Sequence, residues 1–186
     1  MEIAMGLATE DGCALAIGAY PRFRYDGRGG GGTGRASEAL AEGWRTVTFD
    51  AARLAIPPLS RLTTRFLGVP LPPGLRIAID PQHLAGRWHP ESGAVELRFL
   101  ARFRPLLAAR AMAPDLIVST ELVTRTVAGQ RHRAEGRPLD ATGRGVLVGI
   151  ATVEPTGTAW VDRFLGLPDE ALAVLHCRFL TDPPQT

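Results

Sequence analysis

The sequence contains no lysine and no asparagine, and all 21 of its basic residues are arginine. A chain without lysine cannot form a Schiff base, which excludes aldolase and pyridoxal phosphate chemistry that depends on lysine. Its 19 acidic residues leave a net charge of only +2, so the charge balance does not indicate a nucleic-acid-binding protein. Aromatic residues make up only 6% of the chain, and no RNA-binding motif of aromatic and basic residues is present.

Cysteine is also scarce, since Cys13 and Cys177 are the only two in the chain. They do not form a CxxC pair, which excludes zinc-ribbon and thioredoxin motifs. Both fall on the inward face of predicted strands, where a thiol behaves as a small apolar side chain. These strands are the first and the last of the predicted sheet, so the two thiols should be neighbours if the strands pair to close a barrel.

No targeting or membrane-spanning segment is recognisable. Residues 1–12 lack the basic residues of a secretory signal and include Glu2 and Glu10. No apolar run approaches the roughly 18 residues that a membrane helix needs. We therefore expect a cytoplasmic protein with reduced thiols, and contact with the surface of a membrane stays open.

Alternation of apolar and polar residues dominates the chain and predicts β-strands. It is clearest over residues 94–103, where Val95, Leu97 and Ala101 share one face and charged residues occupy the other. Helical patterns between the strands are too short for the crossovers of a parallel sheet. We predict one all-β domain over residues 1–186, an antiparallel barrel or sandwich of about eight to ten strands. The other predicted strands lie at 13–20, 44–49, 75–80, 115–127, 145–153 and 171–180.

Two similar stretches, RFLGVP at 65–70 and RFLGLP at 163–168, recur 98 positions apart. Ser60 and Thr158 precede them at the same spacing, and both residue types are favoured at helix N-caps. Gly68 and Gly166 occupy the position after a helix end, where glycine adopts positive φ. Because a proline follows two residues after each glycine, the pattern predicts that both helices end there.

The repeat therefore predicts two short helical plugs, Ser60–Leu67 and Thr158–Leu165, docked on the open end of the sheet. Helices of this length are not stable alone, so each apolar edge must pack against the sheet. Phe66 and Phe164 are expected to point into the core from equivalent positions. An internal pseudo-twofold duplication would explain the repeat, and the sequence leaves it open.

Glycine is concentrated between residues 25 and 36, which include the run GGGGTGR. The run lacks the GK[ST] ending of a phosphate-binding loop, so it does not predict a nucleotide site. We predict a mobile loop over residues 25–36, which could gate a pocket.

Apolar inward faces without a catalytic motif indicate a non-catalytic protein that binds a lipophilic small molecule or lipid inside the sheet. No cofactor and no metal are predicted. The residues expected to line the site are the aromatic side chains on inward strand positions and on the predicted helices, namely Trp88, Phe99, Phe103, Phe66, Trp160 and Phe164.

Two alternatives stay open. Arginines on outward strand positions form either cross-strand charge pairs or a surface for an acidic protein or membrane partner, as in a scaffold protein. These arginines are Arg98, Arg102, Arg104, Arg125, Arg131 and Arg133. The last alternative is an enzyme that uses His83, His89 or His132, although these residues lack a recognised metal-binding spacing.

Overall fold

The computed structural model describes residues 1–181, so residues 182–186 of the predicted domain lie outside the described part. It is predominantly antiparallel β-sheet, as the alternating pattern predicts. The strands are β1 (Ile3–Thr9), β2 (Cys13–Ile17), β3 (Phe23–Tyr25), β4 (Gly31–Ala36), β5 (Arg45–Phe49), β6 (Thr64–Phe66), β7 (Val69–Pro70), β8 (Leu75–Trp88), β9 (Val95–Leu107), β10 (Arg110–Ala111), β11 (Leu116–Val123), β12 (Val127–Ala128), β13 (Arg133–Ala134), β14 (Arg144–Val153) and β15 (Asp169–Thr181). Helix α1 spans Ala159–Leu165, and 3₁₀ turns occur at Ala41–Gly43 and Ala51–Arg53.

Eight strands follow one another around a ring. β1 pairs with β4 on one side and with β15 on the other, so the order β1–β4–β5–β8–β9–β11–β14–β15 returns to its start. Between β11 and β14, Val123 and Val148 are the single pair in register within the described residues. The ring is thus incompletely hydrogen-bonded at this seam, and the sheet is curled without being a closed barrel.

Neighbouring strands run in opposite directions, so their ends collect at two ends of the ring. At the first, called the open end, β8, β11 and β15 begin and β2, β9 and β14 finish. At the second, called the closed end, β9 and β14 begin and β15 finishes. At the open end β2 pairs with β15 and β3 with β6, so these short strands extend the wall of the ring.

Large apolar side chains fill the closed end. Met5 of β1, Val95 of β9 and Leu147 of β14 are fully buried there. The rings of Phe49 and Phe179 meet edge to face with their centroids 5.9 Å apart. Burying one side chain of this size contributes roughly 1.5–3 kcal/mol, so this cluster accounts for much of the stability of the ring.

The alternation in β9 has the predicted orientation. Val95, Leu97 and Ala101 are buried, whereas Arg98 and Arg102 are exposed. Residues 89–93 form the turn of the hairpin that joins β8 and β9.

The predicted helix Ser60–Leu67 is wrong. After one turn, in which the Ser60 carbonyl accepts hydrogen bonds from the amides of Thr63 and Thr64, the chain enters β6. β6 and β7 form a hairpin whose turn residues, Leu67 and Gly68, have φ of 52° and 80°. Two consecutive residues with positive φ are typical of a type I′ turn, which suits paired strands. Pairing of β6 with β3 outweighs the weak helical preference of so short a segment.

The second predicted helix, Thr158–Leu165, is confirmed as α1. Gly166 follows it with φ of 72° and donates its amide hydrogen to the Asp162 carbonyl, as expected of a glycine at a helix end. The N-terminus differs from the prediction, because the Thr158 side chain makes no capping hydrogen bond. The Asp162 carboxylate instead accepts from the amides of Thr156 and Gly157, at 2.7 and 3.1 Å.

The two similar stretches are therefore not copies of one structural unit, since one is a hairpin and the other a helix. Phe66 is half-buried and packs on Phe23, with ring centroids 4.8 Å apart. Phe164 is 63% exposed, so the expectation that it points into the core is wrong. This difference removes the structural argument for a pseudo-twofold duplication.

The predicted loop over residues 25–36 is wrong for its second half. Residues 31–36 form β4, which pairs with β1 and β5 inside the ring. Its glycines permit close packing, because a Cβ added at Gly34 would lie 2.6 Å from the Thr48 carbonyl oxygen. This segment is part of the wall and cannot act as the predicted gate.

Candidate ligand-binding site

The ring is hollow at its open end. A cavity of about 530 Å³ lies between β8, β9, β11, β14 and β15, and β2, β3 and β6 complete its wall. Its lining includes Phe99 and Phe103 of β9 and Leu116 and Val118 of β11. The volume falls within the range of about 300–1,000 Å³ that is usual for small-molecule sites.

Small residues on β14 and β15 create much of this space. Gly149 and Ala151 of β14 pair with Ala173 and Ala171 of β15, and all four line the cavity. Toward the closed end β14 carries Leu147, which is fully buried and borders the cavity from that side. The change from large to small side chains along β14 therefore separates the packed half of the interior from the hollow half.

Polar groups in the lining are few and already satisfied. The hydroxyl groups of Tyr20, Tyr25 and Thr120 each donate to a backbone carbonyl. Among the residues described, no aspartate, glutamate, arginine or histidine lines the cavity. A lining without charges, in which these hydroxyl groups have already donated their protons, suits hydrocarbon and offers little to a polar group.

Burial also keeps the ionisable groups of the lining neutral. It raises the pKa of the Cys13 thiol to about 11 and raises the pKa of the Tyr25 phenol above its ordinary value. The Cys13 sulfur accepts a hydrogen bond from the amide of His176 at 3.4 Å. Burial also raises the pKa of the Cys177 thiol, the next residue along β15, to about 12. Neither thiol is a thiolate near neutral pH, so neither is an activated nucleophile.

Helix α1 lies at the mouth of the cavity. Trp160 and Phe164 contribute to the lining although they are 54% and 63% exposed. Met112, in the connection between β10 and β11, also lines the cavity and is partly exposed. The Phe164 ring lies 5.8 Å from the ring of Tyr20, which connects α1 to the segment after β2. The cavity lining is thus continuous with solvent-exposed apolar side chains at the open end.

Five of the six predicted lining residues border this cavity, namely Phe66, Phe99, Phe103, Trp160 and Phe164. The structure places Trp88 elsewhere, at the closed end of β8. Its ring packs against the closed-end core, 6.4 Å from that of Phe179. Its indole N–H is buried and has no hydrogen-bond partner within residues 1–181.

Sequence reasoning missed the lining residues that come from connections between strands. Tyr20, Phe23 and Met112 lie in or beside such connections and line the cavity. A usable signal was present, because aromatic residues flank Pro21 in a segment whose glycine and proline indicate a turn. Apolar residues in a turn need a surface to cover, and here that surface is the cavity.

The predicted arginine surface is largely neutralised by the chain itself. Four of the six arginines make ion pairs: Arg102 with Asp115, Arg104 with Asp80, Arg125 with Glu96 and Glu121, and Arg131 with Asp169. Arg98 and Arg133 have no such partner within the described part of the chain. Charge pairing on a solvated sheet face accounts for most of this pattern.

The predicted histidines do not converge. His83 is exposed in the middle of β8, whereas His89 lies in the β8–β9 turn with Nε2 2.9 Å from the Glu42 carbonyl oxygen. His132 belongs to the loop between β12 and β13. Across residues 1–181, no three or more histidine, cysteine, aspartate or glutamate side chains are grouped so that they could hold a metal ion.

The β12–β13 hairpin is fastened to the start of β15 by two carboxylates. The Glu170 carboxylate accepts hydrogen bonds from the backbone amides of Gln130, Arg131 and His132, at 2.5, 2.9 and 3.1 Å. That of Asp169 pairs with Arg131 at 2.8 Å. Hydrogen bonds from these amides lower the pKa of Glu170, and the Arg131 guanidinium lowers the pKa of Asp169.

No protein-family model matches this chain, and comparisons with curated proteins and with solved structures find no match. Within the described residues, every helix is too short or too polar to cross a lipid bilayer. The geometry of the cavity is therefore the basis for assigning a function.

Proposed function

We propose that this protein binds a lipophilic small molecule or a lipid in the cavity at the open end, without catalysing a reaction. The supporting observation is an apolar cavity of about 530 Å³ that reaches solvent beside α1. Sites of this size and lining are the usual hosts of small apolar ligands.

The energetics favour an apolar occupant. Apolar surface in contact with water costs roughly 25 cal/mol per Å², and a hydrocarbon ligand would remove that contact. Phe99, Phe103 and Val118 present such surface from two adjacent strands. Empty apolar cavities in proteins accept apolar guests for this reason.

The lining also limits the chemistry of the ligand. Because the hydroxyl groups of Tyr20, Tyr25 and Thr120 already donate to backbone carbonyls, they have no proton left to donate to a polar head. We infer that the buried part of the ligand is hydrocarbon and that any polar group stays at the mouth, near Trp160 and Phe164.

The absence of catalysis in this proposal is supported by the state of the lining groups. Burial keeps Cys13 as a thiol, and the histidines considered above lie outside the cavity. A nucleophile needs a lowered pKa or an adjacent base, and the cavity provides neither to Cys13.

A cavity-filling variant tests the proposal. Titration with the apolar fluorescent probe N-phenyl-1-naphthylamine should show saturable binding to the wild type. Val118→Trp places a large ring in the cavity and should weaken probe binding at least roughly tenfold, because the ring occupies the ligand volume. Native mass spectrometry and lipid extraction of protein purified from its own host should reveal a bound lipid.

The matched control is Ile117→Trp. Ile117 is the preceding residue of β11, pairs with Arg102 and faces solvent. The Ile117→Trp variant should bind the probe as the wild type does, since the new indole ring lies outside the wall of the ring of strands. Equal probe binding by the folded Val118→Trp and Ile117→Trp variants would contradict the proposal, as would a wild type that does not bind the probe.

The alternatives have weaker support. A scaffold acting through the arginine surface requires free charges, whereas Arg102, Arg104 and Arg125 are each paired with carboxylates of the chain. An enzyme based on histidine requires that residues such as His83 and His89 share a site, and they lie on different parts of the β8–β9 hairpin.

A further inference from the structure

We infer that the open end docks on a membrane surface that contains anionic phospholipid, and that the protein meets its lipophilic ligand there. This inference rests on the proposed function, because the membrane is the source of the ligand. Three connections at this end, over residues 18–22, 108–115 and 154–168, join antiparallel neighbours. A fourth, over residues 67–74, contains the turn of the β6–β7 hairpin and leads to the start of β8.

Six exposed apolar side chains lie on these connections and the strand ends beside them. They form a rim around the mouth of the cavity, consisting of Leu67, Val69, Leu107, Met112, Trp160 and Phe164. Leu67 is 71% exposed at the tip of the β6–β7 hairpin, and Phe164 is 63% exposed on α1. Projecting apolar and aromatic residues of this kind insert into the interface of a bilayer.

A pair of arginines beside the rim supplies charge complementarity. Arg24 of β3 and Arg65 of β6 are directly opposite in register, on the face that points away from the cavity-lining Phe23 and Phe66. Both are exposed, and neither makes an ion pair with a carboxylate of residues 1–181. Like charges in directly opposed positions of a sheet destabilise it. A phosphate group that contacts both guanidinium groups would remove this repulsion.

Acidic groups at this end are already engaged. Asp115 pairs with Arg102, and Asp169 pairs with Arg131. Glu170 is bound by backbone amides, and Asp162 accepts from Thr156 and Gly157. Within the four connections described above, Glu154 is the exposed carboxylate that remains, whereas Arg110 and Arg163 add positive charge there. The balance of free charge therefore favours an anionic partner.

The test is flotation of the full chain with vesicles of phosphatidylcholine alone or mixed equally with phosphatidylglycerol. The wild type should bind the mixed vesicles and lose binding as salt is added. Arg24→Gln/Arg65→Gln should weaken this binding roughly 30-fold, because each arginine near an anionic surface contributes about 1 kcal/mol. Leu67→Asp should also weaken binding.

The matched control is Arg98→Gln/Arg137→Gln, which removes the same charge from sites away from the open end and should bind vesicles as the wild type does. Equal weakening by both double variants, or equal binding to phosphatidylcholine vesicles, would overturn the inference. A stable wild-type dimer that Leu67→Asp converts to monomer would also overturn it, since a second copy would then cover the rim.

Probe binding separates this inference from the proposed function. Arg24→Gln/Arg65→Gln should bind N-phenyl-1-naphthylamine normally, because both side chains point away from the cavity. If the wild type binds the probe but not the mixed vesicles, membrane docking is wrong and the cavity function stands. If the wild type binds vesicles but not the probe, the cavity function is wrong. The inference that the protein takes up its ligand from the membrane is then wrong as well.

Discussion

Two glycines of β4, Gly31 and Gly34, lie where neighbouring strands leave no room for a side chain. Gly31 has φ of 126°, and a Cβ added there would overlap the Leu7 carbonyl of β1. Gly34 has the Phe49 ring and the Thr48 carbonyl within 2.6 Å of its Cβ position. The glycine-rich run is thus a structural requirement of the ring, because only glycine lets the three backbones approach this closely.

Gly31→Ala should destabilise the protein by about 3 kcal/mol or more, because a methyl group would have to displace backbone atoms of β1. The control is Gly29→Ala, whose φ of 87° is also unfavourable for alanine but whose Cβ would meet open space. It should cost only about 1–2 kcal/mol. Urea denaturation monitored by circular dichroism measures both. Equal losses would show that backbone conformation, and not packing, is the constraint at Gly31.

The β12–β13 hairpin is an element held in place by charge. Its loop amides bind Glu170, and Arg131 pairs with Asp169, so two carboxylates at the start of β15 determine its position. The hairpin also covers an apolar cluster on the outer face of the ring, with Ala134 packed near Val146 and Val148. Release of the carboxylates should therefore expose apolar surface next to the open end.

Acid should loosen this hairpin before the rest of the ring. Because the pKa values of Glu170 and Asp169 are lowered in the folded protein, their stabilising contribution is complete above the ordinary carboxyl pKa. It is lost as the pH falls below roughly 4.5 and through the lowered values. Hydrogen exchange of the Gln130, Arg131 and His132 amides should accelerate in this range relative to β14 amides.

Glu170→Gln should produce the same acceleration at neutral pH, since a neutral amide binds the three backbone donors less strongly than a carboxylate does. Glu154→Gln, a change of the same type at an exposed position near the open end, should leave the exchange rates unaltered. Unchanged exchange in Glu170→Gln would mean that the carboxylate does not hold the hairpin.

Over the whole molecule, the interior of the ring is divided between a packed half and a hollow half. Val95 is fully buried in the closed-end core, whereas Val118 of β11 is half-buried and borders the cavity. The cost of truncating a side chain includes the loss of its contacts with every neighbour. The two valines therefore differ in energetic environment although they are the same residue type.

Val95→Ala should lower the free energy of unfolding by about 2 kcal/mol or more, because it opens a new void in a packed core. Val118→Ala should cost less than about 1 kcal/mol, because it enlarges a space that already exists. The pair is compared by chemical denaturation without ligand. A larger loss for Val118→Ala would indicate that the open end is packed in solution and that the cavity is filled by the protein itself.

Much of the strand pattern could be predicted locally. The alternation in β9 is a property of consecutive residues, so Val95, Leu97 and Ala101 could be assigned to the inner face before their neighbours were known. Phe99 and Phe103 belong to the same inward face and reach the cavity for the same reason. Trp88 follows a similar alternation on β8 but lies at the closed end. Alternation shows which face of a strand a residue occupies, and it does not show how far along the axis of the ring the residue lies.

The two FLGxP stretches show the limit of local patterns. Their cap residues and glycines are alike, yet Leu67 turns a hairpin and Leu165 ends a helix. A segment of seven residues has too little intrinsic helical stability to choose its own structure. Pairing of β6 with β3 decides the first case, whereas α1 pairs with no strand of residues 1–181 and keeps the helix that Gly166 ends.

The sequence by itself determined the β class, the inward faces of the long strands and the positive φ of Gly68 and Gly166, because each depends on residues that are adjacent along the chain. Only the tertiary structure decided that Ala151 and Ala173 leave a hollow beside Phe103 with Trp160 and Phe164 at its mouth, and that Arg24 lies opposite Arg65 on the outer face of β3 and β6. These relations join residues far apart in sequence. Bringing them together costs chain entropy, and only the contacts of the whole ring compensate for that loss.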